Sequence, residues 1–214
     1  MMTEGRQTPT YYPLFLDIRD MVCIVVGGGK VAERKARMLL AFGARVKVIS
    51  PQVTNGILRL RQAEKVEVVL REYRKGDIKG AGLVFAATND AKTNVLVKEE
   101  AVRRRVPINV ADRPELCDFI VPSIIRKGPL VVALSTSGTA PGVAKRLKAE
   151  VDDALTRQHV DYLSLVARFR RVLQESDVAD KERKAILKEV LDMDIGDALS
   201  TGLSGLKGRF LHQR

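Results

Sequence analysis

Tryptophan is absent from this 214-residue chain, aromatic residues make up only 5% of it, and it carries two cysteines and two histidines. Each shortage narrows the field. So few aromatics, and no strand that interleaves them with basic side chains, leave no stacking platform for single-stranded nucleic acid. Cys23 lies inside an apolar run and Cys117 beside Asp118, which is neither a disulfide framework nor a metal-ligand spacing, and both read as reduced thiols. His159 and His212 have no ligand spacing either, so no protein-held metal is expected. No apolar stretch is long enough to span a bilayer, and no membrane association is expected. The opening MMTEGRQTPT is polar and contains an acid where a signal peptide needs an apolar core, so the expected location is the cytoplasm.

Positive charge is in excess, with 37 Lys and Arg against 26 Asp and Glu for a formal charge of +11. Beyond residue 145 the two signs nearly balance, so the excess sits in the first two thirds. Such a surface attracts polyanions at long range. Without a stacking platform, a small molecule with many carboxylates or phosphates fits at least as well as nucleic acid. A generally basic, well-solvated surface is the plainer alternative.

The densest local signal is IVVGGGKVAE, residues 24–33, where an apolar run breaks into Gly27, Gly28 and Gly29 before a helical pattern begins. This is the pattern of a dinucleotide pyrophosphate site. Gly27 allows a tight turn, Gly29 lets the backbone approach the phosphates, and Ala32 lets helix and strand pack closely. The free amides of the new helix, from Lys30 and Val31 onward, then face the anion. Ala32, Ala36, Leu39, Leu40 and Gly43 share one face of the predicted helix, which supports the strand–turn–helix context. An ordinary glycine-rich turn is the competing reading.

From Tyr12 to Asp112 strands and helices alternate. Strands are predicted over 22–26, 46–49, 66–70, 83–87 and 107–110, with helices over 31–42, 56–63 and 94–104. Elements in this order argue for a parallel sheet with right-handed crossovers, whose ligand lies beyond the carboxyl ends of the strands. The loops concerned are 27–30, 50–52, 88–90 and 111–113. Residues 119–125 and 129–135 then read as a hairpin turned at Arg126, Lys127 and Gly128. Its apolar face is expected to pair with the same segment of a second subunit in a two-fold homodimer, or else to pack on later helices of its own chain. From Pro141 the pattern is helical, with one stripe through Tyr162, Leu165, Val166, Phe169, Val172 and Leu173 and another through Ile186, Leu187, Val190 and Leu191. Residues 200–214 hold three glycines and little periodicity, and read as a loose end. The expected class is α/β: a Rossmann-type parallel sheet over 1–113, a small β dimerisation segment over 114–144 and a helical domain over 145–214.

Five stretches carry a more specific signal: YYPLFLDIRD, VVGGGKVAERKARMLLAFGARVKVISP, LVFAATND, INVADRPELCDFIVPSII and PLVVALSTSGTAPGVAKRL. In this order they resemble the precorrin-2 dehydrogenase family, which includes the N-terminal part of bacterial sirohaem synthase and a fungal bifunctional dehydrogenase and ferrochelatase. The resemblance runs from about Tyr12 to Val172. It implies an NAD domain, a β dimerisation segment and a helical domain, and NAD-dependent oxidation of precorrin-2 to sirohydrochlorin on the route to sirohaem. The carboxylates of such a ring system would give the basic surface a ligand.

The resemblance also implies roles. Asp112 aligns with the aspartate that the family places at its active site, where it would take the proton lost as the ring is oxidised. From the residues alone, a cap on 113–116 is equally open. Gly27, Gly29, Lys30 and Val31 would meet the pyrophosphate; Ser50, Pro51 and Gln52 the adenosine ribose; and Thr88 the cofactor from the end of the fourth strand. No Asp or Glu ends the second strand, where an acid would hold the ribose 2′-hydroxyl, so the residues leave NAD and NADP unseparated while the resemblance favours NAD. Ser135, Thr136 and Ser137 would receive substrate carboxylates, or serve with Thr139 to cap the following helix. Some relatives also insert metal into sirohydrochlorin, which makes ferrous or cobaltous ion a further substrate whose ligands come from the macrocycle. The reading from a different class is a non-catalytic dinucleotide sensor, for which residues 111–142 would be superfluous.

Overall fold

Runs such as VCIVV and LVFA have no polar side chain to turn toward water, so their strands need cover on both faces. The computed structural model describes residues 10–211, and the chain divides into two compact units, one running through Val121 and the other starting at Pro122. In the first, β1 (Val22–Val26), β2 (Arg45–Ile49), β3 (Val66–Val69), β4 (Leu83–Ala86) and β5 (Ile108–Val110) form a wholly parallel sheet in the order β3-β2-β1-β4-β5. Helices α1 (Lys30–Ala41), α2 (Asn55–Gln62) and α3 (Ala91–Arg104) connect them. Because side chains alternate along a strand, Cys23, Val25, Val46, Val48 and Phe85 pack on one face with Ala32, Ala36, Leu39 and Ile57. Ile24, Val26, Ile49, Val84 and Ala86 pack on the other with Ile78, Val97 and Ala101. Burial pushes the Cys23 thiol up to about 11, so it is a small apolar core residue at neutral pH.

The chain leaves β1 toward β2 on one side and returns toward β4 on the other. This reversal opens a crevice at the carboxyl ends of β1 and β4, where the glycine turn lies. Helix α3 begins at Ala91, earlier than the apolar spacing indicates, because the Asp90 carboxylate caps it by accepting the Lys92 and Thr93 amides at 3.1 and 3.0 Å.

The second unit holds an antiparallel pair, β6 (Ser123–Lys127) and β7 (Leu130–Leu134), turned at Gly128 with φ +58°, followed by α4 (Pro141–Ala154), α5 (Arg157–Gln174), α6 (Asp180–Asp192) and α7 (Ile195–Leu211). Lys127 ties the hairpin to the end of α4, its ammonium donating to the Asp152 and Leu155 carbonyls at 2.6 and 2.7 Å. The hairpin is shorter than the apolar pattern indicates. Phe119 and Val121 pack on the sheet core of the first unit instead, with the Phe119 ring edge-on to Phe85 at 5.4 Å.

The C-terminal segment also differs from its sequence reading, since residues 200–211 are helical, with one non-helical residue at Gly202. Leu199, Leu203, Leu206 and Phe210 recur at helical spacing and join the core of α5 and α6, so packing outweighs the propensity cost of the glycines. Of the α6 stripe, Ile186 and Val190 are buried, whereas Leu191 is exposed. His212 lies outside the described residues. Among the described residues no helix is long and apolar enough to cross a membrane.

Candidate active site

The glycine turn is built by close backbone approach. Gly27, at φ +122°, would place a Cβ 2.3 Å from the Ala87 carbonyl oxygen, and a Cβ on Gly28 would lie 1.8 Å from that of Gln52. The neighbours that crowd these positions also fix them: the Gly27 amide donates to Ile49 at 2.9 Å, and Gly28 accepts from the Thr54 amide at 2.9 Å. Gly29 is different, because a Cβ there would meet nothing within 4 Å. Its missing side chain faces open space, which is the space a pyrophosphate needs. Helices α2 and α3 have side-chain caps, from Thr54 and Asp90, but α1 starts at Gly29 with none. The amides of Lys30 and Val31 are thus among the first-turn donors left to an anion. The residues fit a dinucleotide.

A cleft of about 520 Å³ opens from this turn. Its walls bring together Gly27, Gly29, Ser50, Pro51, Gln52 and Thr88 from the expected set. Lys30, Val31 and Asp112 are not among its lining residues. Ser50 is buried and its hydroxyl donates to the Gln52 carbonyl at 2.7 Å, which shapes the end of β2. The Thr88 hydroxyl lies 2.9 Å from both the Asn94 side-chain oxygen and the Asp90 carbonyl, so it holds its own turn together. Gly28, Thr54, Glu72 and Tyr73 also line the cleft. The last two come from the segment after β3, where no motif pointed to them.

Asp112 follows β5 on an exposed loop at the carboxyl edge of the sheet, with φ +58°. It does not cap the short 3-10 turn Pro114–Leu116, whose N-cap is Arg113 with no side-chain bond. What shapes this loop is Cys117. Its sulfur lies 3.2 Å from both the amide and the carbonyl oxygen of Val110 and 3.4 Å from the Arg113 carbonyl oxygen, bracketing Asp112 on either side. Burial raises the Cys117 pKa, so the thiol keeps the proton it donates. Next to this loop, the half-buried Lys35 ammonium sits 5.3 Å from the Phe85 ring centroid. Burial lowers its pKa and Arg34 adds to that, while Cys117 and Asp112 act in the opposite direction.

A hydrogen bond contributes about 1 kcal/mol, so Cys117→Ala should speed amide exchange at Ala111, Asp112 and Arg113 about fivefold, with Cys117→Ser nearer the parent chain. Mass-spectrometric hydrogen exchange reads this directly. Equal rates in all three proteins would show that the thiol does not hold the loop.

Ser135, Thr136 and Ser137 lie in the second unit between β7 and α4. The Ser135 hydroxyl accepts from the Ser137 amide at 3.0 Å, and the Thr136 hydroxyl from the Ala140 amide at 3.2 Å. Thr139 does not cap α4; its hydroxyl donates to the Thr136 carbonyl, and Pro141 removes one of the amides that a cap would serve. His159 lies in the first turn of α5, where Nδ1 accepts from the Thr156 amide at 3.2 Å. Among the described residues no group of three or more His, Cys, Asp or Glu could hold a metal ion.

Comparison with known proteins places this geometry in a family. The NAD_binding_7 family model, described as NAD(P)-binding, matches residues 14–123. Sirohaem synthase of Methylobacillus flagellatus is 35% identical over 190 residues, covering 89% of this chain and 41% of that protein. Sirohaem synthase of Pseudomonas fluorescens is 35% identical over 204 residues, with 95% and 44% covered, and that of Photobacterium profundum 37% over 193, with 90% and 41%. The chain thus spans less than half the length of these relatives. The solved structure of SirC, a precorrin-2 dehydrogenase, superposes with a TM-score of 0.76 at 24% identity, covering 95% of this chain and 98% of that one, and so shares its fold. With open space beside Gly29 at the start of α1 and a family match across the whole parallel sheet, this chain belongs to the NAD(P)-binding family.

Proposed function

We propose that this chain is an NAD-dependent precorrin-2 dehydrogenase, which oxidises precorrin-2 to sirohydrochlorin for sirohaem synthesis. One observation carries the reading: the likeness to SirC and the sirohaem synthases extends through the second unit, which a simple nucleotide binder does not need. A nicotinamide held here would supply the hydride acceptor for the oxidation, which leaves one proton for the protein to remove. The amides following Gly29, with Lys30 and Val31 first, hold the pyrophosphate; Ser50, Pro51 and Gln52 flank the adenosine ribose; and Thr88 closes the far wall. Asp112 takes the proton. Its exposed position at the end of β5 suits a group that must reach a large ring and then release the proton to water.

The hydroxyls and amides of Ser135, Thr136 and Ser137 receive ring carboxylates. Strands β6 and β7 pair across a two-fold axis in a homodimer, which gives their half-buried valines and leucines a partner. The protein works in the cytoplasm, and the sirohydrochlorin ring supplies the ligands when ferrous or cobaltous ion is inserted as a second substrate.

The test is absorbance of precorrin-2 incubated with NAD and the purified chain. The expected result is the sirohydrochlorin spectrum together with NADH at equal stoichiometry. Tight NADH binding with no change in the tetrapyrrole would favour a dinucleotide sensor instead. Adding ferrous or cobaltous ion to the same cuvette tests chelation.

A further inference from the structure

In a chain of formal charge +11, the cleft of the first unit is acidic. Among the described residues lining it there is no Lys or Arg, and the two charged side chains are Glu72 and Asp90. Asp90 is occupied at the start of α3, where its carboxylate accepts from the Lys92 and Thr93 amides and from the Thr93 hydroxyl at 2.6 Å. Glu72 is exposed, and its carboxylate makes no hydrogen bond or ion pair with another described residue. It reaches the cleft from the segment after β3, the hydrogen-bonded neighbour of β2. At the end of β2, where an acid commonly meets the adenosine ribose, stands Ser50 with its hydroxyl turned to Gln52.

The segment bearing Glu72 is held from several directions. The Arg71 guanidinium forks onto the Asp77 carboxylate through two contacts of 2.7 Å and also donates to the Glu72 carbonyl at 2.9 Å. The Tyr73 hydroxyl donates to Glu100, as does the Gly76 amide at 2.9 Å. Glu100 is a carboxylate only 2% exposed. Burial pushes its pKa upward, but Tyr73, Gly76 and Arg104 outweigh this and hold it below the ordinary value, so it stays charged at neutral pH. A segment pinned on both sides of Glu72 costs little further ordering when a ligand arrives.

We propose that Glu72 replaces the acid missing from β2: it accepts from the ribose hydroxyls of the adenosine half and repels a 2′-phosphate, which makes the cleft selective for NAD over NADP. This rests on the cleft being a dinucleotide site. A 2′-phosphate entering here meets the Glu72 carboxylate and no Lys or Arg among the described lining residues, and the neighbouring Arg71 guanidinium is engaged by Asp77, whereas NADP sites supply an Arg at this point.

Titration of the full chain with NADH and NADPH, followed by nicotinamide fluorescence, tests the assignment without any tetrapyrrole. The parent chain should prefer NADH by at least about tenfold, and this margin should shrink as salt is raised. Glu72→Gln should narrow the preference to about threefold, and Glu72→Arg should bring NADPH to parity or beyond. A preference in Glu72→Arg within about twofold of the parent value, or a parent chain indifferent to the two nucleotides, overturns the proposal. The dehydrogenase reading fails separately. A chain that shows this selectivity but leaves precorrin-2 unoxidised keeps the role of Glu72 and loses the reaction, turnover with NAD and NADP alike does the reverse, and binding of neither nucleotide defeats both.

Discussion

Asp112→Asn is expected to slow NADH formation from precorrin-2 by about a hundredfold or more, the usual worth of a positioned proton acceptor, with NADH affinity within about twofold of the parent chain. Asparagine is the informative substitution because of the backbone. Asp112 sits at φ +58°, a conformation that Asn adopts readily and Ala does not. Asp112→Ala would therefore mix the loss of a carboxylate with a shift of the loop held by Cys117. The amide keeps the shape and hydrogen-bonding capacity of the side chain but not its basicity. Nearly normal turnover by Asp112→Asn would remove Asp112 from the chemistry, and a matching loss of NADH affinity would make it part of the cofactor site instead.

The glycine turn should separate folding from binding. Beyond its own chain neighbours, the Cβ of Gly29→Ala meets no protein atom within 4 Å, and φ is −79°, which any residue adopts, so the variant should melt close to the parent chain. Its methyl group projects into the space open for the pyrophosphate, and losing several amide–phosphate contacts should weaken NADH binding by about a hundredfold. Gly27→Ala is the opposite case. Its Cβ would lie 2.3 Å from the Ala87 carbonyl oxygen at a φ of +122°, so β1 and β4 must part at their carboxyl ends. A cost of about 3 kcal/mol or more corresponds to a fall in melting temperature of roughly 10 °C. Calorimetry and fluorescence titration of the two variants give the comparison. NADH affinity preserved in Gly29→Ala would show that the open space beside it is not where the phosphates go.

Much of this architecture can be read along the chain because its signals are local. The strand at 22–26, the three glycines and the small residues of α1 lie within one βα unit, where a two-residue period gives way to a 3.6-residue one. The alternation of strands and helices up to Val110 is equally local. Other features depend on partners distant in sequence. Phe119 and Val121 continue an apolar run that looks like a hairpin arm, but Phe85 and its neighbours offer them a better-packed place in the sheet core. The glycines after Ser200 argue against a helix until Leu203 and Leu206 find the α5–α6 core.

The candidate site divides in the same way. Gly27, Gly29 and the first amides of α1 are legible because a glycine turn into a helix is a backbone device whose residues are consecutive. Asp112 stands out in the sequence only through likeness to a family, since one loop acid carries no pattern of its own. Glu72 and Cys117 had no signal at all: an acid after an edge strand and a thiol beside an aspartate acquire meaning only through what surrounds them.

Residue order alone therefore specifies the parallel sheet and its glycine turn, because periodicity and steric permission are properties of neighbouring residues, and the family shows in the likeness of five stretches in order. Tertiary structure decides which carboxylate enters the cleft, which thiol holds the Asp112 loop and where the last helix ends, because those contacts join positions that only the folded chain brings within a few ångströms.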